Sequence, residues 1–562
     1  MRREVSVVNK KVCSFPILFA LLTLLIGTCA VVFPASAQAA PTSTGSITVS
    51  GTVASSYDAY QIFSANVVDG DKDAKIATDL AWASDDVRDA AMPVLHSAGM
   101  PKSQTTAQEA AEWLNADSHL TSALSAQLAR SLQSSGAVSV ALNAGTAAEL
   151  PCGYWLIVAD DDAIAQDQAG TAPIMALVGG SAVAVKPKAA TPKVAKHVLE
   201  DGTAAWGKAA DATVGDDLYW RLSATVPAGL SAYDTYTVQF VDTMGAGLDP
   251  SRVAASMRVY VAAGAGGGFD AVPAGRDVRA GTEPAKGWTD ITAQCATKVA
   301  ADGTFTVRTG DLIAALGGAD AFAAGARVVA VYDAPLNGAC SHGIAKGNPN
   351  EVYLRYPRSP LADQSGDAGF TRTPSDDACA YTWDLALTKR GSDGDKPLPG
   401  AVLSITDDRG RTLSADGTWD AEGKATVTTG EDGRVTVSGV DSSKLEIREL
   451  KAPKGYTAFK GTRSVTVKAD GLDVKQVAAA KPKLTITAES PLRADSADGS
   501  TGSLEASIIN TPTGTPPSIF TGGFMPSTGD MAMYAAAAVA VVGAALIVVA
   551  LLVKRGGGSH KE

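Results

Sequence analysis

Residues 385–389 read Leu-Ala-Leu-Thr-Lys, and residues 504–510 read Leu-Glu-Ala-Ser-Ile-Ile-Asn. Alternate side chains of a β-strand point to the same face of the sheet, so each stretch predicts a strand with one apolar face. Lys389 and Asn510 fall on those apolar faces. Because a buried polar group is costly unless it is paired, both side chains need partners inside a core. The two stretches therefore predict a β-sandwich that places polar residues inside its core.

Four more stretches show the same alternation, and the six together form two sets. Each set contains one lysine, one carboxylic acid and one asparagine on predicted core-facing positions. The stretches are Leu385-Leu387-Lys389, Leu445-Ile447-Glu449 and Leu504-Ala506-Ile508-Asn510, then Val194-Lys196-Val198, Tyr236-Val238-Phe240-Asp242 and Asn350-Val352-Leu354-Tyr356. An ordinary lysine–acid ion pair at a strand end would explain any one stretch. Two complete sets resemble, in residue type and order, those of sortase-assembled pilins, and this resemblance implies a reaction between lysine and asparagine.

The expected reaction joins each lysine to its asparagine. Burial disfavours the charged form of a lysine and raises the pKa of a neighbouring acid, so the proton can reside on the carboxyl and leave a nucleophilic amine. We predict one bond from Lys389 to Asn510, promoted by Glu449. The second bond is predicted from Lys196 to Asn350, promoted by Asp242, with Asn348 on the same strand face as an alternative.

The composition indicates a mainly β protein with several cores. The chain has 562 residues, of which 46% are hydrophobic and 19% charged, and 56 glycines suit short strands joined by tight turns. Its length suggests about three domains. A net charge of −11 without a basic stripe argues against nucleic-acid binding.

The domain boundaries follow Pro- and Gly-rich stretches. The first domain is predicted to contain an Ala-rich helical stretch between about Ser84 and Leu132 and a core strand at Gly153–Val158. We predict a signal peptide (1–39), an N-terminal domain (40–186), a middle domain (187–375), a third domain (376–512) and a C-terminal segment (513–562) with a linker, a sorting motif, a transmembrane helix and a basic tail.

Both ends of the chain predict export. A basic start and an apolar run from Phe15 to Phe33 precede small residues typical of signal-peptide cleavage, although an uncleaved membrane anchor is an alternative. The run from Met531 to Val553 is long enough to cross a bilayer and is followed by Lys554 and Arg555. A bare single-pass membrane protein is the alternative at this end.

Export permits disulfides among Cys152, Cys295, Cys340 and Cys379, and four cysteines allow three pairings. We predict that Cys340 pairs with Cys379. The chain lacks a short C-x-x-C clip and is poor in histidine, so we expect no metal site. It also lacks the G-x-S-x-G and H-E-x-x-H motifs, and we expect neither a cofactor nor an enzyme acting on an external substrate.

Several motifs resemble those of the backbone, or major, pilins that sortases assemble in Gram-positive bacteria. The stretch Leu445-x-Ile447-x-Glu449-x-x-Ala452-Pro453-x-Gly455-Tyr456 resembles the pilin E-box, with Leu445 where the family often has tyrosine. The start of the third region resembles a Cna B-type domain, and residues 191–196 and 236–243 of the middle region resemble the fimbrial isopeptide-formation domain. The segment Val185-Lys186-Pro187-Lys188 is similar to the pilin motif, and Met525-Pro526-Ser527-Thr528-Gly529 is similar to the LPXTG sorting signal.

The resemblance implies tandem immunoglobulin-like or Cna-type sandwiches and a secreted, wall-anchored pilus subunit that serves adhesion. Its implied partners are a sortase, identical subunits, peptidoglycan and a host surface ligand. Lys188 would attack the sortase-bound end of the next subunit, although a plain solvated linker lysine is an alternative. A non-polymerised wall-anchored adhesin and, more distantly, a secreted hydrolase are the competing functions.

Overall fold

The computed structural model describes residues 43–71, 74–116, 118–188, 190–264, 268–273, 282–472 and 474–514. Strands dominate these ranges, which confirms the predicted mainly β fold. Within them, no helix combines the length and the apolar character needed to cross a membrane. The predicted signal peptide, the Met525–Gly529 motif and the predicted span Met531–Val553 lie outside the described residues.

The first region combines two sheets with a layer of helices. The sheets have the strand orders β5-β1-β8 and β3-β2-β6-β7, and β4 pairs with β2. Buried Ile47, Tyr57 and Trp155 pack between the sheets, while Leu128 and Leu156 belong to a core shared with the helices. Its elements are β1 (Thr44–Val49), β2 (Ser56–Asp69), β3 (Lys75–Trp82), α1 (Asp85–Ser97), α2 (Ala107–Asn115), α3 (Ser122–Ser135), β4 (Val140–Asn143), β5 (Ala147–Pro151), β6 (Gly153–Ala159), β7 (Ile174–Val178) and β8 (Val183–Val185).

The helices form where the predicted Ala-rich stretch lies, and each begins at a hydroxyl residue. The side chains of Ser84, Thr106 and Thr121 accept hydrogen bonds from backbone N–H groups in the first turns of α1, α2 and α3. Thr106 and Glu109 form a reciprocal capping box. Helix α3 ends at Gly136, whose φ of 73° is the left-handed conformation that glycine adopts without strain.

The middle region is a sandwich of two larger sheets. Their orders are β10-β9-β12-β18-β14-β15 and β11-β21-β19-β13-β17-β16, with β20 pairing to β19. Aromatic and aliphatic side chains such as Trp220, Phe240 and Leu354 fill the shared core. Its elements are β9 (Lys193–Glu200), β10 (Ala205–Gly207), β11 (Ala209–Asp211), β12 (Tyr219–Val226), β13 (Gln239–Met244), α4 (Val253–Ser256), β14 (Arg258–Ala263), β15 (Thr289–Asp290), β16 (Ala296–Val299), β17 (Thr304–Arg308), α5 (Leu312–Ala315), α6 (Ala319–Ala323), β18 (Ala326–Asp333), β19 (Asn348–Pro357), β20 (Phe370–Arg372) and β21 (Asp376–Tyr381).

The third region is a second sandwich, with the sheet orders β27-β22-β33-β29 and β25-β24-β23-β28-β30-β31. Strand β32 adds to β33, and β26 adds to β23. The first and last strands, β22 and β33, are parallel neighbours in register from Asp384↔Ser503 to Gly391↔Asn510. Its strands are β22 (Trp383–Gly391), β23 (Val402–Thr406), β24 (Thr412–Leu413), β25 (Trp419–Asp420), β26 (Val427–Thr428), β27 (Arg434–Val440), β28 (Lys444–Lys451), β29 (Tyr456–Thr457), β30 (Thr462–Asp470), β31 (Lys483–Ala488), β32 (Leu492–Asp498) and β33 (Ser503–Pro512).

The predicted boundary after residue 375 divides a sheet of the middle region. Strand β21 pairs with β19 and with β11, so residues 376–381 complete the middle sandwich and do not begin the third. The sequence Asp-Asp-Ala-Cys-Ala-Tyr has two acidic residues followed by a short, mainly apolar run, and this pattern gives no sign of which sheet the strand joins. Only Thr382 separates β21 from β22.

The middle and third regions are joined by polar contacts as well as by this short connection. The Trp383 indole N–H and the Ser442 hydroxyl both donate to Asp211 Oδ2, at 2.5 Å and 2.6 Å. Arg411 forms a bidentate pair with Asp216, with distances of 2.5 Å and 2.8 Å. Bidentate Arg–carboxylate pairs fix orientation as well as distance, so these contacts define how the two sandwiches meet.

Candidate functional site: two buried lysine clusters

In the third region, three strands bring the predicted residues together. Lys389 lies near the end of β22, Glu449 on β28 of the facing sheet and Asn510 near the end of β33. Because β22 and β33 are parallel neighbours, Lys389 and Asn510 reach the same end of the sheet. The side chains of Lys389 and Glu449 are completely buried, and Asn510 is 2% exposed.

The three side chains contact one another directly. Lys389 Nζ donates to Asn510 Oδ1 at 2.5 Å and lies 3.2 Å from Glu449 Oε1. Asn510 Nδ2 donates to the same Glu449 oxygen at 2.8 Å. The other carboxylate oxygen, Oε2, accepts the backbone N–H of Phe459 at 3.0 Å. One carboxylate oxygen thus touches both the amine and the amide nitrogen.

Burial makes the Lys389 amine easier to deprotonate. Loss of hydration lowers the pKa of Lys389 to about 8, and the negative charge of Glu449 offsets part of that decrease. The Phe459 ring lies 5.7 Å from Nζ, so this cluster has an aromatic wall. At pH 7, a pKa near 8 leaves roughly a tenth of the amine neutral and therefore nucleophilic.

The second cluster occupies the core of the middle sandwich. Lys196 on β9 belongs to one sheet, while Asp242 on β13 and Asn350 on β19 belong to the other. Asp242 is opposite Val352 and Asn350 is opposite Met244, which makes the acid and the amide diagonal neighbours across the β13–β19 pair. All three side chains are fully buried.

A tyrosine links the members of this cluster. Lys196 Nζ forms a short contact with Asp242 Oδ2 and donates to the Tyr332 hydroxyl at 2.9 Å. The hydroxyl in turn donates to Asp242 Oδ2 at 3.1 Å. Asn350 Nδ2 also donates to the hydroxyl at 2.9 Å. Tyr332 therefore contacts the amine, the acid and the amide.

Burial shifts the pKa values of Lys196 and Asp242 toward each other. It lowers the pKa of Lys196 to about 8 and raises the pKa of Asp242, in each case against the attraction between the two charges. Among the residues that the structure describes, Asp242 Oδ1 and Asn350 Oδ1 are buried acceptors without a hydrogen-bond donor. Transfer of a proton from Lys196 to the Asp242 carboxyl would remove both buried charges and leave one fewer acceptor without a donor.

The structure places Asn350, and not the alternative Asn348, in the cluster. The Asn348 amide is fully occupied by backbone groups: its Oδ1 accepts from Ser341 N at 2.8 Å, and its Nδ2 donates to Ser341 O and Ala380 O. This amide ties the loop after β18 to β21. Asn348 thus links two segments of the backbone, and its side-chain carbonyl already accepts a hydrogen bond from Ser341.

The predicted disulfide between Cys340 and Cys379 is not formed in this structure. Cys152, Cys295, Cys340 and Cys379, the four cysteines in the described ranges, are all free thiols. Cys379 is buried on β21, and burial raises the pKa of its thiol to about 11. The hydrogen bonds of Asn348 already join the segment at Ser341 to the strand at Ala380, where the disulfide was expected to act.

The two lysines of the VKPK segment are both accessible. Val185 of β8 is buried and accepts a hydrogen bond from Ser50 N at 2.8 Å, whereas Lys186 and Lys188 are exposed. Pro187 between them is buried. The chain therefore leaves the first region with two lysine side chains in solvent.

Sequence reasoning missed Tyr332 and Phe459. Tyr332 belongs to β18, whose sequence Ala-Arg-Val-Val-Ala-Val-Tyr-Asp is buried along nearly its whole length. A strand covered on both faces has no alternation, so its pattern does not indicate which side chains face the reacting groups. Phe459 lies ten residues beyond Glu449, outside a regular strand.

Comparison with known proteins adds one family match and one curated relative. Residues 384–481 match the family described as the SpaA prealbumin-like fold domain. The trypsin-resistant surface T6 protein of Streptococcus pyogenes serotype M6 is 30% identical over 143 residues. That alignment covers 24% of this chain and 24% of the relative, so the chain matches about a quarter of that protein's length.

Solved pilin structures show a weaker similarity over most of the chain. The T6 backbone pilin of serotype M6 S. pyogenes has a TM-score of 0.45 at 17% identity, over 84% of this chain and 98% of that one. The full-length major pilin SpaD from Corynebacterium diphtheriae has a TM-score of 0.42 at 15% identity, over 85% of this chain and 100% of that one.

Proposed function

We propose that this protein is the major structural subunit of a sortase-polymerised pilus, stabilised by internal Lys389–Asn510 and Lys196–Asn350 isopeptide bonds. The observation that carries the proposal is the pair of clusters, each with a buried lysine, acid and asparagine on strands of a sandwich. Buried charges are costly, and a hydrophobic core would be the simpler way to gain stability. Two such arrangements in adjacent sandwiches therefore support a chemical purpose.

The proposed reaction is a single self-maturation step in each cluster, without external substrate, metal or cofactor. The neutral lysine amine attacks the asparagine Cγ, the acid moves protons, and ammonia leaves. In the third region, Glu449 contacts both nitrogen atoms that exchange protons. The family match at residues 384–481 and the partial similarity to the T6 protein are consistent with a Gram-positive surface protein.

Polymerisation and anchoring are the further parts of the proposal. Lys188 is the proposed nucleophile that joins one subunit to the sortase-bound end of the next, and its exposure supports that role. Met525–Gly529 is the proposed sorting signal, with peptidoglycan as the final acceptor. The proposed domains are those given by the sequence, with the boundary between the middle and third moved to Thr382. The protein would act at the cell surface, in adhesion to a host ligand.

The function is tested by immunoblotting wall extracts of the native host. We expect the wild-type protein to form a ladder that rises to very high mass, and Lys188→Ala to reduce the ladder to a monomer. Lys186→Ala is the matched control, because this lysine is also exposed and lies two positions earlier. A wild-type single band would favour the non-polymerised adhesin. A ladder that survives Lys188→Ala and disappears in Lys186→Ala would refute the assignment of the nucleophile.

A further inference from the structure

The two clusters differ in how the acid reaches the leaving nitrogen. In the third region, Asn510 Nδ2 donates directly to Glu449 Oε1 at 2.8 Å. In the middle region the acid is an aspartate, one methylene shorter, and Asn350 Nδ2 donates to the Tyr332 hydroxyl at 2.9 Å. That hydroxyl is 3.1 Å from Asp242 Oδ2. The tyrosine oxygen thus occupies the gap between a short acid and the amide.

We propose that Tyr332 is a catalytic residue of the middle cluster, which relays a proton from Asp242 to the departing nitrogen of Asn350. This inference rests on the proposed isopeptide chemistry and assigns a role to a residue outside the lysine–acid–asparagine set. The cluster in the third region needs no such relay, because Glu449 touches both nitrogens. In each cluster a proton must reach the leaving nitrogen, and the two clusters achieve this with a long acid in one case and with a short acid and a tyrosine in the other.

In the middle cluster, the Lys196 ammonium first gives one proton to Asp242, which leaves a neutral amine and a neutral acid. The amine lone pair forms a bond to Asn350 Cγ, and the carbonyl electrons move to oxygen. Asp242 passes its proton to the Tyr332 oxygen while the hydroxyl gives its own proton to Nδ2. The electron pair on the oxygen then re-forms the carbonyl, the bond between Cγ and Nδ2 breaks, and ammonia departs with that bonding pair. Asp242 then removes the extra proton from the new amide nitrogen and ends as a neutral acid.

The environment of Tyr332 suits a relay. Its side chain is fully buried, and burial together with the nearby Asp242 carboxylate raises the pKa of the hydroxyl well above its usual value. The hydroxyl therefore stays protonated and can take one proton only as it gives another. The centroids of the Tyr332 and Phe305 rings are 4.8 Å apart in an edge-to-face arrangement, which holds the hydroxyl in position.

The experiment compares bond formation in the full-length chain of the wild type and the Tyr332→Phe variant. Intact-protein mass reports ammonia loss, and peptide mapping identifies the Lys196–Asn350 and Lys389–Asn510 linkages separately. We expect Tyr332→Phe to slow the Lys196–Asn350 bond by about 100-fold or more, the usual contribution of general acid–base catalysis. The Lys389–Asn510 bond should form as in the wild type, which also shows that the chain is folded.

Two further variants separate a chemical role from a structural one. Tyr356→Phe is the matched control, because Tyr356 is also fully buried in this sandwich and its hydroxyl has no hydrogen-bond partner in the described part of the chain. It should form both bonds at the wild-type rate. In Tyr332→Phe/Asp242→Glu, the longer acid should reach Asn350 directly and restore the bond.

The relay is refuted if the Lys196–Asn350 bond forms at the wild-type rate in Tyr332→Phe. It is also refuted if that bond is lost in Tyr332→Phe and is not restored in Tyr332→Phe/Asp242→Glu. Absence of the Lys196–Asn350 bond from the wild-type protein would instead refute the proposed isopeptide chemistry in this region.

Discussion

Replacing Glu449 with glutamine should abolish the Lys389–Asn510 bond with little change in shape. The variant keeps an oxygen for the Asn510 amide but cannot take a proton from the Lys389 amine. We therefore expect its mass to exceed that of the wild type by one ammonia, apart from the substitution itself. The Lys196–Asn350 bond, which uses a different acid, should be unaffected.

The stability loss can be estimated from the loop that the bond closes. Lys389 and Asn510 are 121 positions apart. By the loop-entropy relation used for crosslinks, closing a loop of this length removes about 5 kcal/mol of unfolded-state entropy at 25 °C. A domain of this size shifts its melting temperature by roughly 4 °C per kcal/mol, so the third-region transition should fall by about 15–20 °C.

Differential scanning calorimetry of the full-length protein measures this transition, with mass spectrometry on the same samples. Glu446→Gln is the control, because Glu446 lies on the same strand with a side chain that is 51% exposed and pairs with Lys444 in solvent. It should retain the bond and the wild-type transition. If Glu449→Gln loses the bond yet melts within a few degrees of the wild type, the loop-entropy reasoning fails. If it keeps the bond, Glu449 does not promote the reaction.

Two other predictions concern anchoring and pH. Deleting Met525–Gly529 should leave the protein in the medium or in the membrane fraction, and undiminished attachment to purified peptidoglycan would contradict the proposed sorting signal. Burial, together with Asp211 and Asp201, raises the pKa of Asp441 to about 7. The folded state therefore holds a proton that the unfolded state has released, so this contribution to stability is complete below pH 4 and is lost as the pH rises through 7. Asp441→Asn should make the fall in unfolding free energy between pH 4 and 7 shallower by about 1 kcal/mol per pH unit, as measured by unfolding at each pH, and an unchanged slope would show that other groups control it.

The sequence was most informative where one face of a strand is buried and the other is not. Such strands alternate, and Leu385, Leu387 and Lys389 fall on one buried face as predicted. The same rule placed Glu449 and Asn510 in the core, and in the structure these residues meet Lys389. Alternation gives the face of each residue without knowledge of which strands are neighbours.

The contacts between regions and the order of strands in each sheet depend on pairing between distant segments, which alternation does not specify. The contact between Asp211 and Trp383 joins residues 172 positions apart, and β21 joins a sheet of the middle region through β19 and β11. The sequence did not predict the role of Tyr332, because its strand is buried on both faces and shows no alternation. The predicted pairing of Cys340 with Cys379 rests on their positions in the chain; in the structure both are free thiols, and the Asn348 amide links the same two segments.

The parallel pairing of β22 with β33 has a mechanical consequence for a subunit in a fibre. Tension would enter the third region at the start of β22 and leave it after the end of β33, so the two neighbouring strands would be pulled in shear along their shared register. Their hydrogen bonds would then be loaded together and could not open one at a time. Once Lys389 and Asn510 are joined, the force would pass from one strand to the other through that covalent bond. Residues 390–509 would lie outside the load path, free to melt, vary or carry exposed loops without weakening the fibre.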